Sequence, residues 1–171
     1  MRETGEHAHG LLEALGRVEG DLDLLPRSRP LGLLLRLLEA RYHPRAAEDP
    51  FSPEGLRAQA AMVDLLLQTG SLAQAVALMR ELLVSWVCLE EGLDPLKGRE
   101  PAEKLLGTWG SQVRGEGKAP QEAELGKFWN ELTDIRNDIL HASMRKSPTP
   151  AESLQRRIQA LWPRVRAVVA V

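Results

Sequence analysis

Three side chains in the segment RNDILH have the types needed for acid–base work on a charged substrate: Arg136, Asn137 and His141. A histidine exchanges protons near neutral pH, a planar guanidinium holds two oxygens of an anion, and an amide orients either partner. Spacing alone says little, because 17 arginines and four histidines in 171 residues would give about 0.4 such pairs by chance. The surroundings have to carry the argument.

At about 100° per residue, Leu125, Trp129, Leu132, Ile139 and Ser143 fall on one side of a helix with Arg136 in the middle of it. A permanently charged guanidinium there needs a partner, which points to a polar cleft or a subunit interface rather than a plain core. Asn137 and His141 share another face with Asn130 and Asp134, and His141 lies about 140° round from Arg136. Three routes bring the two together: a long arginine reaching round, a distorted helix, or a second subunit.

Other chemical constellations are missing. The chain has no GxxxxGK[ST], HExxH, paired CxxC or GxSxG. His7 and His9 are an alternating pair at a terminus expected to fray, and His43 before Pro44 reads as a loop residue, so a metal-dependent mechanism has little support and no cofactor or metal is expected. Glu90 and Glu91 read as a solvated pair at a helix end. Asp134 and Asp138, spaced i, i+4, read as solvated too, with orientation of a basic partner as the alternative.

The elements that position these residues read as helical throughout. Strand-like alternation is absent, and Leu, Ala, Glu, Arg and Gln dominate. Amphipathic segments run through HGLLEALGRV and, after Pro30, LGLLLRLLEARY. Ser52 caps a helix with Pro53 in its first position and Gly70 at its left-handed end. The next helix runs from Ser71 to Glu91 and stops at Gly92, a short one spans Glu100 to about Trp109, and GTWGSQVRGEGK reads as a loop. The helix carrying the motif starts after Pro120 and ends before Pro148. Thr149, Pro150 and Glu152 form a capping box for a last helix that kinks or ends at Pro163.

The expectation is an all-α, compact multi-helix bundle of about six helices. It forms a single domain over residues 1–171, with N-terminal helices and linker over 1–50 and a core over 51–171. The hairpin LLLQTGSLAQAVALMRELL resembles one tetratricopeptide unit, but without a second copy a solenoid is disfavoured.

Composition sets further bounds. The single cysteine, Cys88, lies in an apolar run and excludes a disulfide framework. No apolar leader is evident and no run approaches the ~20 apolar residues of a membrane span, so a soluble, cytoplasmic protein is expected. The net charge of −2 excludes a global pull towards polyanions. From Arg136 onward, however, seven basic residues face two acidic ones, a balance of +5 that leaves −7 for the first 135 residues.

The stretch LTDIRNDILHASMRKSP resembles the signature R-polar-x3-H of HEPN domains and its flanks. The likeness is greatest to the CRISPR-associated ancillary ribonucleases that join HEPN to a CARF sensor. LRAQAAMVDLLLQTGSLAQAVALMRELLVSWVCLEEGLDPL resembles the helical region upstream, so the likeness covers roughly residues 56 to 150. It implies a HEPN-type fold and a metal-independent endoribonuclease in antiviral defence, acting as a homodimer with a composite site. Arg136 and His141 match the catalytic pair and Asn137 the polar residue between them.

The products would be a 2′,3′-cyclic phosphate and a 5′-hydroxyl, with Arg145 and Lys146 contacting the RNA backbone. No βαβ pattern for a CARF sensor is present, so any such domain lies outside this chain. The alternatives are a catalytically degraded HEPN-like module that binds RNA, a nucleotide or a toxin–antitoxin partner, and a helical adaptor.

Overall fold

The computed structural model describes residues 2–22, 29–112, 120–141 and 149–169. Among these the fold is all-α: seven α-helices, one short 3₁₀ turn and no strand. The helices are α1 (Arg2–Leu22), α2 (Arg29–Tyr42), α3 (Pro53–Gln68), α4 (Leu72–Glu90), α5 (Arg99–Ser111), α6 (Pro120–Leu140) and α7 (Ala151–Val169). The chain divides into two units, Met1–Ala61 and Met62–Val171, with the division inside α3.

In the first unit α1 packs on α2, burying Leu15 and Leu35. Ser52 caps α3 as its position before Pro53 requires, its Oγ accepting the Gly55 N–H at 3.0 Å. That N–H is one of the donors a helix start leaves without an intrahelical partner.

In the second unit α4 packs against α5, α6 and α7. Its ends follow from glycine. Gly70 (φ 74°) and Gly92 (φ 61°) adopt the left-handed conformation that other residues pay to enter. After each, the next residue's N–H reaches back five residues, Ser71 to the Leu66 carbonyl and Leu93 to that of Cys88, closing the ends of α3 and α4. Contrary to expectation, α4 is by length and composition apolar enough to cross a membrane, with a mean hydropathy of 1.6. Eleven of its residues are buried, among them Trp86 and Cys88. Burial pushes the Cys88 thiol above its ordinary pKa, against the opposing pull of Arg99.

Three local expectations change. α5 continues to Ser111, into the stretch read as loop, because Trp109 and Gly110 are buried against α6. α7 begins at Ala151, its first bonds running from the Ser153 and Leu154 N–H groups to the Pro150 carbonyl, while the Thr149 hydroxyl donates to Asp138 instead of capping. α7 also passes through Pro163 to Val169. Trp162 donates to Asp64 Oδ1 at 2.7 Å and Arg166 to Asp64 Oδ2 at 2.8 Å, so anchors on both sides of the proline hold the helix.

Candidate functional site

The motif occupies the last turn of α6 and the residue after it. α6 presents Leu125, Phe128, Trp129, Leu132 and Ile135 to the core, all buried. Adding Phe128 and Ile135 moves the centre of the apolar sector about 40° away from Arg136. Arg136 is therefore exposed and Ile139 only half-buried, which corrects the expectation of an arginine in mid-stripe.

The neighbours of α6 fix this rotation. α5 approaches on one side, where Gly126 faces the Trp109–Gly110 backbone and Asn130 Nδ2 donates to the Gly110 carbonyl at 2.9 Å. α7 lies on the other, with Arg164 over the Phe128 ring and 3.5 Å from Glu131.

The helix is regular up to the motif's last residue: α6 is α-helical to Leu140, and the His141 N–H donates to the Asn137 carbonyl at 3.0 Å. Local distortion is thus not the route by which Arg136 and His141 meet. Asn137 is half-buried and His141 exposed. Arg145 and Lys146 lie outside the described residues.

Asp138 is not solvated as expected. It is 12 % exposed, accepts the Thr149 hydroxyl at 2.9 Å and stands 3.9 Å from the Arg157 guanidinium. It ties the motif turn to the start of α7. Among the described residues, no group of three or more His, Cys, Asp or Glu side chains is placed to hold a metal ion.

One residue at this site went unnoticed in the sequence. Arg80 of α4 lies over Trp129, its guanidinium carbon 4.2 Å from the ring centroid. Its Nε–H is buried and meets no acceptor among the described residues. Burial first, and the positive charge of Arg136 second, hold Arg80 below its ordinary pKa, while Glu103 and Glu81 oppose them. The available signal was composition: Arg80 and Glu81 are the only charged residues between Leu72 and Leu89, and Glu81 is engaged by Arg99.

Three of the seven C-terminal basic residues are engaged inside the unit, because Arg157, Arg164 and Arg166 face Asp138, Glu131 and Asp64. Among the described residues, Arg80 and Arg136 have no ion-paired carboxylate. No family model, curated protein or solved structure matches the chain.

Proposed function

We propose that this chain is a metal-independent endoribonuclease of the HEPN type that cleaves single-stranded RNA in the cytoplasm, in CRISPR-associated antiviral defence. It works as a homodimer with one composite site formed by two copies of the α6 end. The observation that carries this reading is the divergence of two exposed side chains on an undistorted helix. Arg136 and His141 leave it about 140° apart, so a second copy is the economical way to bring a histidine to an arginine-held phosphate.

The chemistry suits the side chains. One His141 imidazole accepts the proton of an RNA 2′-hydroxyl, and the 2′-oxygen forms a bond to phosphorus. The P–O5′ bond breaks, and the imidazolium of the second copy donates its proton to the departing 5′-oxygen. Arg136 stabilises the charge that grows on the non-bridging oxygens, and Asn137 orients the imidazole or the substrate.

The test incubates unstructured RNA with the wild-type chain and with His141→Ala, in the presence of a chelator. Cleavage to cyclic-phosphate and 5′-hydroxyl ends is expected from the wild type and a loss of at least about a hundredfold in the variant. Equal residual cleavage by both would point to a contaminant. Binding without cleavage would replace the enzyme by an RNA- or nucleotide-binding module.

A further inference from the structure

The Arg80–Arg136 pair is costly as it stands. Arg80 lies over Trp129 of α6, the helix that carries Arg136; burial first and the Arg136 charge second hold Arg80 below its ordinary pKa, and its buried Nε–H goes without an acceptor among the described residues. The carboxylates nearby do not resolve this. Glu81 is held by Arg99, and Glu103 influences Arg80 less than Arg136 does. Stacking on Trp129 fixes Arg80 in place, and Trp129 lies seven residues before Arg136, two turns back and about 20° off the same line of α6. Both side chains therefore rise over one strip of surface, where an anion between them would relieve the repulsion.

We infer that Arg80 of α4 and Arg136 of α6 clamp a single phosphodiester of the RNA strand, with Trp129 as the platform that orients Arg80. The inference rests on reading the motif as an RNA site and adds to it a binding residue from a different helix. Arg80 and Arg136 belong to the same chain, so the clamp calls for no second copy. It supplies the grip on the strand and leaves proton transfer to His141.

Binding is measured with an unstructured, fully 2′-O-methylated RNA, which lacks the attacking hydroxyl and separates binding from cleavage. Arg80→Gln and Arg136→Gln should each weaken it about tenfold and flatten the log–log salt dependence by about 0.7, the share of one single-strand phosphate. The double variant should lose little more than either single one, because both groups hold the same phosphate.

A folded Arg80→Gln chain that binds like wild type, a double variant whose losses multiply, or a wild-type chain that does not bind would each overturn the clamp. If Arg80→Gln fails to fold, Glu103→Gln decides. Removing that exposed carboxylate should tighten binding severalfold, and unchanged affinity would count against the clamp. Cleavage of ordinary RNA by a chain that fails the binding test would sink the clamp and leave the ribonuclease standing. Coupled binding without cleavage would do the reverse.

Discussion

Asp138 shows how a motif residue is held by partners far along the chain. A carboxylate only 12 % exposed must be satisfied, and here Thr149 and Arg157 from the start of α7 do so. Asp138→Ala removes the acceptor and leaves the Thr149 hydroxyl to find another, so a loss of about 1–3 kcal/mol is expected in urea unfolding. Asp138→Asn keeps an acceptor and should cost less. If the alanine variant unfolds at the wild-type urea concentration, the tie is not structural. The sequence could not disclose it. The chain shows Asp138 four residues after Asp134, a spacing that fits solvation equally well, and the deciding contacts come from 11 and 19 residues downstream. Cys88 was legible for the opposite reason: its immediate neighbours are apolar and settle its burial by themselves.

Between helices, α5 and α6 approach closely at Gly126. A Cβ added at Gly126 would stand 2.6 Å from the Gly110 nitrogen, with rigid backbone that cannot step aside, whereas one added at Gly107 meets nothing within 4 Å. Both glycines lie inside helices, where alanine is favoured by about 0.5–1 kcal/mol. Gly107→Ala should therefore stabilise by about that amount, and Gly126→Ala should destabilise by about 1–3 kcal/mol because the two helices must separate. Thermal unfolding of the two variants would show opposite shifts, and a rise for Gly126→Ala would contradict the packing. Element ends marked by local chemistry were readable in advance, at Ser52, Gly70 and Gly92. The passage of α7 through Pro163 was not, since a proline's missing N–H is a local fact while the Asp64 anchors are tertiary. The rotation of α6 was legible but misjudged, because Phe128 and Ile135, apolar in the sequence and buried in the fold, belong to its core face and shift it away from Arg136.

At the scale of the whole molecule, the question is whether one chain suffices. The described helices set Arg80 over Trp129 on the helix that carries Arg136, but nothing in the regular end of α6 turns His141 towards them, and the proposed cleavage calls for two proton transfers where each chain carries one histidine at this place. In the proposed homodimer a two-fold arrangement of α6 ends would supply the second. The expected particle then has twice the 19.0 kDa mass of the chain at micromolar concentration, measurable by light scattering on a sizing column. Mass alone leaves open whether both copies act, so mixing decides. When wild-type chain is equilibrated with a ninefold excess of His141→Ala, nearly every wild-type chain acquires an inactive partner. Activity per wild-type chain should fall to about a tenth if the site is shared. A monomeric enzyme would keep its full activity in the same mixture, and that outcome would overturn the composite site while leaving the Arg80–Arg136 clamp to its own test.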